Sequence, residues 1–403
     1  MFFICLFAII GTRRKQKGEK MTKINVGIIG MGYIGESHIE ALRRIGICNL
    51  TAVCDTNYNL AKSKAELYGI EKVYETVDEM IADESIAVIH NCTPNFLHCE
   101  INEKIIKAGK HLFSEKPLTT TYEEAKRLVK LKNEHPELEA CVNFNYRQNP
   151  MVGEVKARIA RGELGDVRII TGQYQQDWLM YETDYSWRLE PEMAGCSCSV
   201  ADIGSHWMDA VQYVTGHRIC EVFADLVTVI PVRKKPKNQT ETFRDGVDGE
   251  YTSVKIKNED YAAVMFKTDK GATGLFHVSE LAPGHGCYFG FEINGSKESY
   301  SWNQENNNNL WIGRRGGNNS LITRDPNTIS PEVRPYTSLA MGHPEGWNDA
   351  FKGNFLAFYK YLSEGRHGER IFSTLEDAAY IVKLTEAIVE SSKRKQWIKV
   401  NKD

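Results

Sequence analysis

Short apolar segments alternate with amphipathic segments along the first 145 residues. Apolar runs that end at Gly, Pro or Asp predict buried strands, and apolar positions three and four residues apart predict helices. The predicted strands are 23–29, 50–54, 87–91, 111–114 and 139–145, and the predicted helices are 32–45, 60–68, 97–108 and 122–134. Because strands and helices alternate, we expect an α/β fold in which a doubly wound parallel sheet carries helices on both faces.

The pattern changes beyond residue 145, where longer segments alternate apolar and polar positions. The predicted strands are 166–176, 219–231, 251–257, 260–266, 273–279 and 288–295, and the predicted helices are 150–160, 201–214, 346–362 and 374–391. The polar segment 231–248 is expected to be an exposed loop, and the asparagine run at 306–309 a turn. We therefore divide the chain into an N-terminal domain, 21–145, and a C-terminal α+β domain, 146–403, with a large open, mostly antiparallel sheet.

The first 20 residues differ from the rest of the chain in charge and hydrophobicity. Residues 2–10 are apolar, but a membrane-spanning helix needs about 20 apolar residues. A signal peptide carries its positive charges before the apolar run, whereas here the basic residues follow it. We expect residues 1–20 to be a disordered extension or a misassigned start ahead of Met21. A weak membrane anchor is the less favoured alternative, and stable membrane insertion is not expected.

Net charge and cysteine usage narrow the class of protein. The formal net charge is −3, and residues 1–20 carry +4, so the remaining chain carries −7. A mildly acidic body disfavours nucleic acid as a partner. The 10 cysteines lie mostly within apolar runs and form no CxxC pair. The spacing of Cys196 and Cys198 alone is a weak metal signal. We expect buried free thiols in a reducing cytoplasm and no bound metal.

A glycine-rich turn lies between the first predicted strand and helix. Gly30, Gly32 and Gly35 form a GxGxxG motif, in which the glycines permit a tight turn, close approach of a pyrophosphate and packing of helix on strand. Asp55 follows Gly35 by 20 residues at the end of the second strand. A carboxylate there binds both ribose hydroxyls and repels a 2′-phosphate. The motif predicts a Rossmann-type domain that binds NAD in preference to NADP.

Two further segments carry candidate catalytic groups. Lys116 follows the predicted strand 111–114 at its carboxyl end, where such sheets bind ligands, and it could stabilise a developing alkoxide. Asp202 and His206 are four residues apart on a predicted helix and so share one face. His206 is a candidate general base that Asp202 orients. The alternatives are a solvated lysine and a helix capped by Asp202 with a half-exposed histidine.

Aromatic residues cluster near these groups in the sequence. Aromatic faces pack on the C–H faces of sugar rings, while Arg and His bind hydroxyls. The candidates are Trp178, Trp187, Arg188 and His343, and core packing is the alternative for each tryptophan.

Taken in order, these motifs resemble the glucose–fructose oxidoreductase / inositol dehydrogenase / rhizopine-catabolism (Gfo/Idh/MocA) family from about residue 23 onward. The matching segments are 26–35, 92–98, 115–117, 145–150 and 202–206. The resemblance implies that Lys116 contacts the reacting hydroxyl, that Asp202 binds substrate and that His206 is the acid/base. It also implies a homodimer or homotetramer built on the large sheet.

The resemblance assigns the other site residues as well. Arg147 is expected to join the domains or to contact the cofactor. The expected cofactor contacts are Gly30, Gly32, Tyr33, Ile34, Gly35, Asp55, Thr93, Pro94, Asn95, His98, Glu115, Lys116 and Arg147. The expected substrate contacts are Lys116, Trp178, Trp187, Arg188, Asp202, His206 and His343.

The function that the resemblance implies is hydride transfer between NAD(H) and a secondary hydroxyl or ketone of a sugar, glycoside or cyclic polyol. Segments 174–178, 187–188 and 342–347 are similar to those of members that act on pyranoses, some at C3. An inositol is the next candidate. One alternative is a glycosidase that oxidises, eliminates and reduces with bound NAD, and another is a non-catalytic dinucleotide sensor. Retention of Lys116 and His206 favours the dehydrogenase.

Overall fold

A computed structural model describes residues 23–237 and 250–401 of the chain. The expectations for residues 1–20, and for the predicted loop from residue 238 onward, lie outside the described residues. Within the described ranges, no helix is both long enough and apolar enough to cross a membrane.

The first half forms a six-stranded sheet in the order β3-β2-β1-β4-β5-β6, and each neighbouring pair is parallel. The strands are β1 Ile24–Ile29, β2 Cys48–Cys54, β3 Lys72–Tyr74, β4 Val88–Asn91, β5 His111–Ser114 and β6 Ala140–Val142. The helices are α1 Tyr33–Ile45, α2 Tyr58–Tyr68, α3 Val77–Ala82, α4 Asn95–Lys107 and α5 Tyr122–Glu134. The predicted doubly wound parallel sheet is confirmed. Its strand order reverses between β1 and β4, and open α/β sheets bind ligands at such a point.

The second half contains a nine-stranded sheet in the order β16-β15-β14-β13-β7-β12-β11-β8-β17. Only β7 and β12 pair in parallel among its described neighbours, so the expected mostly antiparallel sheet is confirmed. Its strands are β7 Val167–Gln175, β8 Ile219–Val227, β11 Tyr261–Thr268, β12 Thr273–Ser279, β13 Tyr288–Gly295, β14 Glu298–Asn303, β15 Asn309–Arg314, β16 Ser320–Thr323 and β17 Ile398–Lys399. The helices of this half are α6 Pro150–Ala160, α7 Pro191–Ala194, α8 Ser205–Thr215, α9 Trp347–Ser363 and α10 Leu375–Arg394.

Several sequence expectations were wrong in detail. The segment 232–236, expected in a loop, is strand β9, Val232–Pro236, and it pairs with β10, Tyr251–Lys255, outside the large sheet. The strand expected at 139–145 ends at Val142, because the chain turns into the 3-10 segment Asn145–Gln148. The helix expected at 201–214 begins as a wide π turn, Val200–Gly204, before α8. The strands β14 to β16 were not predicted, although the expected turn at 306–309 joins β14 to β15.

Helix α8 packs on the inner face of the large sheet, and this packing fixes the position of the first turn of α8. Trp207 stacks on Phe276 of β12, with ring centroids 4.4 Å apart, and its indole N–H donates to the Gly290 carbonyl at 3.0 Å. Helix α9 packs instead on the first half, where Phe355 lies 4.5 Å from Phe113 of β5. The cleft lies at the carboxyl edge of the parallel sheet, where Ile29, Cys54 and Glu115 line it, and Tyr174 and His206 line it from the second half.

Candidate active site

The glycine turn has the geometry that a bound pyrophosphate requires. Gly30 has a φ of 94°, and a Cβ there would lie 2.7 Å from the Cys92 carbonyl oxygen. A Cβ on Gly35 would lie 2.1 Å from the Gly30 carbonyl oxygen, whereas a Cβ on Gly32 meets nothing within 4 Å. Gly32 caps α1 without a side-chain hydrogen bond, so the first amides of α1 are available to an anion. The turn fits a dinucleotide phosphate.

Asp55 is fixed beside this turn. Its Oδ2 accepts a hydrogen bond from the Met31 amide at 2.7 Å, and its Oδ1 accepts one from the Asn57 amide at 2.8 Å. Asp55 and Glu75 both line the same end of the cleft. Two carboxylates there make this end unfavourable for an additional phosphate.

The cleft has a volume of about 1050 Å³ and is lined by side chains from both halves of the chain. Of the residues that the sequence nominated, those that line it are Gly30, Gly32, Tyr33, Ile34, Asp55, Thr93, Pro94, Asn95, Glu115, Lys116, Trp187, Arg188, Asp202 and His206.

Lys116 and Asp202 meet across the cleft. Lys116 follows β5, and its Nζ donates to Asp202 Oδ1 at 2.6 Å and to the Asp202 carbonyl at 2.9 Å. The Arg188 Nε lies 3.4 Å from the same Oδ1. Burial would raise the pKa of the Asp202 carboxyl, but the Lys116 and Arg188 cations outweigh it and hold that pKa well below its usual range. The site therefore contains a fixed carboxylate and a fixed ammonium side by side.

His206 lies in the first turn of α8 and is a neutral base. Its ring is 8% exposed and stands edge-on to Tyr146 at 5.1 Å and to Phe144 at 5.6 Å. Burial, assisted by the positive charge of Lys116, lowers the pKa of its imidazole well below the ordinary value. Its Nδ1 is buried and has no hydrogen-bond partner in the described part of the chain. A neutral imidazole beside an ammonium can accept a proton from a hydroxyl.

Three of the nominated cofactor residues, Gly35, His98 and Arg147, do not line the cleft. Gly35 packs instead against the Gly30 carbonyl. The ring nitrogens of His98 lie 2.6 Å from the Pro117 carbonyl and 2.7 Å from the Thr93 carbonyl. His98 therefore connects the loops that contain these two carbonyls. Arg147 donates to both carboxyl oxygens of Asp209 at 2.8 and 2.6 Å and to Asp377 at 3.2 Å. Arg147 therefore connects the segment Asn145–Gln148 to α8 and α10, which all belong to the second half of the chain, so these contacts show neither of the two roles expected for it.

Two of the nominated substrate residues also lie outside the lining. Trp178 lies beyond the end of β7 at Gln175. It packs on a small apolar cluster that contains Leu179 and Leu189. His343 is exposed, and its carbonyl accepts from Arg324 at 2.7 Å. The aromatic pattern could not separate these residues from Trp187, because only the course of the loop decides which ring faces the cleft.

Several lining residues were given no role from the sequence. They are Asn143, Asn145, Tyr174, Gln176, Cys287 and Gln304. Asn145 Nδ2 and Gln304 Oε1 are buried, and neither has a hydrogen-bond partner among the residues described. Because an unmet buried hydrogen bond costs about 1–3 kcal/mol, such atoms are suited to a polar ligand. Tyr174 could have been found from strand alternation, since it is inward-facing near the carboxyl end of β7.

Residues 23–237 and 250–401 contain no group of three or more His, Cys, Asp or Glu side chains placed to hold a metal ion. The nine cysteines in these ranges are free, and five of them are buried.

A phosphate-binding turn, a ribose-side carboxylate and a Lys–Asp–His cluster in one cleft define a nicotinamide-dependent oxidoreductase. Comparison with known proteins agrees. The model of an oxidoreductase family with an NAD-binding Rossmann fold matches residues 24–144, and the GFO/IDH/MocA C-terminal domain matches residues 152–301. The chain belongs to the GFO/IDH/MocA oxidoreductase family.

Similar proteins act on sugars. Levoglucosan dehydrogenase of Pseudarthrobacter phenanthrenivorans is 29% identical over 398 residues, which cover 94% of this chain and 99% of that protein. Glucose-6-phosphate 3-dehydrogenase of Bacillus subtilis is 28% identical over 282 residues, covering 70% and 75%. A solved levoglucosan dehydrogenase complex with NADH and L-sorbose has a TM-score of 0.85 and 27% identity, covering 94% of this chain and 99% of that one. The chain is an NAD-dependent oxidoreductase of this sugar-dehydrogenase type.

Proposed function

We propose that the protein oxidises a secondary hydroxyl of an uncharged pyranose or glycoside with NAD⁺, at C3 in the first instance, with a cyclic polyol such as an inositol as the next candidate. The observation that carries the proposal is the contact of Lys116 Nζ with Asp202 Oδ1 at 2.6 Å, beside His206, in the cleft that begins at the glycine turn. This arrangement supports a reaction in which a cation and a neutral base act on one hydroxyl.

Each of the three side chains has a distinct task in the proposed reaction. A nicotinamide bound in the cleft would supply the acceptor for the hydride that leaves the substrate carbon. His206 removes the hydroxyl proton, which its lowered pKa permits because the imidazole is neutral. Lys116 stabilises the negative charge that develops on the oxygen. Asp202 keeps Lys116 in place and can accept a hydrogen bond from a neighbouring hydroxyl.

The lining of the substrate half supports a polyhydroxylated, uncharged ligand. Asn145 Nδ2 and Gln304 Oε1 supply one donor and one acceptor that other described groups leave unused. The guanidinium of Arg188 lies 4.5 Å from the centre of the Trp187 ring, which forms a broad flat wall. Lys116 and Arg188 both contact Asp202, so their charges are already balanced in part. A sugar phosphate would have to compete with that carboxylate, and we expect neutral sugars to be preferred.

Cofactor preference, assembly and location belong to the same proposal. Asp55 and Glu75 at the ribose end favour NAD over NADP. Met265 and Leu275 are 45% and 50% exposed on the outer face of the large sheet, which supports a homodimer or homotetramer through that face. Free cysteines support a reducing compartment such as the cytoplasm. Light scattering at several concentrations would test the assembly, and a monomer at all of them would refute it.

The test of the function is an absorbance screen at 340 nm. Purified protein is mixed with NAD⁺ or NADP⁺ and with free pyranoses, alkyl glucosides, inositols and glucose 6-phosphate. We expect NADH to form with a neutral pyranose or glycoside faster than with the phosphate or with NADP⁺. Release of aglycone from an aryl glucoside without net NADH would favour the glycosidase alternative. Binding of NADH with no turnover of any substrate would favour the sensor.

A further inference from the structure

A continuous chain of buried polar side chains runs away from the cleft through the first half of the molecule. His38 Nε2 lies 2.8 Å from Glu115 Oε1, and His38 Nδ1 lies 2.8 Å from His90 Nδ1. His90 Nε2 lies 2.7 Å from the Tyr359 hydroxyl. Tyr359, His90 and His38 are each 0% exposed. This hydrogen-bond chain thus connects α9, β4 and α1 to Glu115, the residue before the candidate catalytic lysine.

One arrangement of protons uses every donor in this chain. Tyr359 donates to His90 Nε2, His90 Nδ1–H donates to His38 Nδ1, and His38 Nε2–H donates to Glu115. If both ring nitrogens of His38 carried protons, His38 would donate to His90 and His90 would donate to Tyr359. The Tyr359 hydroxyl hydrogen would then lack an acceptor among the described residues. Because an unmet buried donor is costly, the first arrangement is favoured. Burial lowers the pKa of His90 and raises that of Tyr359, which agrees with a neutral imidazole and a protonated phenol.

The hydrogen-bond chain ends at the Glu115 carboxylate, which also bonds to Lys116. Glu115 Oε1 also accepts from Asn143 Nδ2 at 2.6 Å, and Oε2 accepts from the Lys116 backbone amide at 3.2 Å. Burial opposes ionisation, but the hydrogen bond and electrostatic interaction with His38, the bond from Asn143 and the charge of Lys116 outweigh it and lower the pKa of Glu115. The carboxylate is therefore held as an anion in one orientation. Since Tyr359 is fully buried, the hydrogen-bond chain does not reach solvent at its Tyr359 end. It is therefore suited to positioning and not to proton transport.

We propose that His38 and His90 are positioning residues for Lys116, and that they act by fixing the Glu115 carboxylate that holds the Lys116 backbone. The effect on turnover rests on the proposed function, because Lys116 matters only if it contacts the reacting hydroxyl. The same helix α1 carries the cofactor turn at its start and His38 in its second turn.

The competing explanation is that both histidines only fill space. His38 lies 4.8 Å from Phe355, and His90 stacks on Phe113 at 4.5 Å. An apolar side chain could replace either ring as a packing element. The variants must therefore separate loss of the donor from loss of volume.

Two substitutions at one position make that separation. His38→Leu fills the space without a donor, whereas His38→Gln places an amide N–H about where the imidazole Nε2 lies. We expect kcat of His38→Leu to fall about 10- to 100-fold, because a small misplacement of a catalytic group has an effect of that size. KM and the dissociation constant of NADH, measured by fluorescence, are expected to change less than about threefold. His38→Gln should recover most of the lost kcat.

The control is His217→Leu, which removes a buried histidine that lies 3.0 Å from Thr268 Oγ1 in the second half of the molecule. It should match His38→Leu in lost thermal stability but keep kcat. Equal kcat values for His38→Leu and His38→Gln, or a wild-type kcat for folded His38→Leu, would overturn the positioning role.

A measurement without turnover tests the proton arrangement itself. In protein labelled with ¹⁵N-histidine, two-bond ¹H–¹⁵N correlation spectra distinguish the two tautomers. We expect His38 to be protonated at Nε2 and His90 at Nδ1, and Tyr359→Phe to perturb His90 more than His38. The reverse tautomers would overturn the inference. If no sugar were oxidised but these tautomers were found, the proposed function would fail while the hydrogen-bond chain to Glu115 would stand.

Discussion

Replacement of Lys116 by methionine is the perturbation whose consequences follow most directly from the site geometry. Methionine keeps the length of the side chain but removes the ammonium that lies 2.6 Å from Asp202 Oδ1. Loss of one fixed donor at a developing oxyanion typically lowers kcat about 10²–10³-fold, or about 2.7–4 kcal/mol. The lysine is only 14% exposed, so water screens its charge little, and we expect a loss of at least 10²-fold. In this variant Arg188 still lies 3.4 Å from the Asp202 carboxylate, so the carboxylate is not left without a cation.

The same substitution has a predicted effect on pH dependence. In the wild type, burial and the Lys116 charge both lower the pKa of His206. Removal of the charge should raise that pKa, and the base form of His206 is the active one. The acid limb of the kcat/KM profile should therefore move to higher pH in Lys116→Met.

Steady-state kinetics at 340 nm over a range of pH, together with NADH titrations, would measure both effects. Lys72→Met is a matched control, because it removes a lysine 2.6 Å from Asp83 outside the cleft. A near-normal kcat in Lys116→Met, or an equal loss of NADH affinity and turnover, would refute the assigned role.

Further predictions concern the cofactor turn and the buried ion pair of Arg147. Asp55→Ala should weaken NAD⁺ binding by about 1.5–3 kcal/mol and narrow the preference over NADP⁺ in competition titrations; an unchanged preference would exclude the ribose contact. Gly35→Ala should lower the melting temperature, because its Cβ would lie 2.1 Å from a carbonyl oxygen, whereas Gly32→Ala, with nothing within 4 Å, should lose NAD⁺ affinity at normal stability; identical behaviour of the two would contradict the roles given to the glycines. Arg147→Met leaves the Asp209 carboxylate buried and should lower the free energy of unfolding by about 3–5 kcal/mol in urea titrations; a smaller loss with weaker NADH binding would instead indicate a cofactor contact.

Much of the fold could be predicted because its signals are local. The strand at His111–Ser114 and the helices at Tyr122–Glu134 and Pro150–Ala160 were predicted with the bounds observed. Caps explain this accuracy, since Thr121 and Asn149 both accept hydrogen bonds from the first turn of the helices they precede. Position in the chain also placed Lys116 and Asp55 correctly, because the carboxyl ends of parallel strands share one edge.

The remaining features depend on contacts that no local pattern records. The strand Glu298–Asn303 alternates polar residues with Tyr300 and Trp302, and the strand Asn309–Arg314 is short. Both are strands because their neighbours complete their hydrogen bonds. The π turn at Val200–Gly204 and the contact of Asp209 with Arg147 were not predicted. His38 lies on the buried face of α1. Its pairing with Glu115 spans 77 positions in the sequence, and only the fold reveals it.

We expect the carbon of a sugar hydroxyl to give up its hydrogen as hydride to NAD⁺ in this cleft. Incubation of the enzyme and NAD⁺ with an alkyl glucoside deuterated at C3, followed by mass spectrometry of the NADH, tests this transfer directly. The expected products are NADH that carries one deuterium and a 3-keto glycoside. Unlabelled NADH would place the oxidation at another carbon. Deuterium exchange into water with cleavage of the glycosidic bond, and no net NADH, would contradict the dehydrogenase assignment.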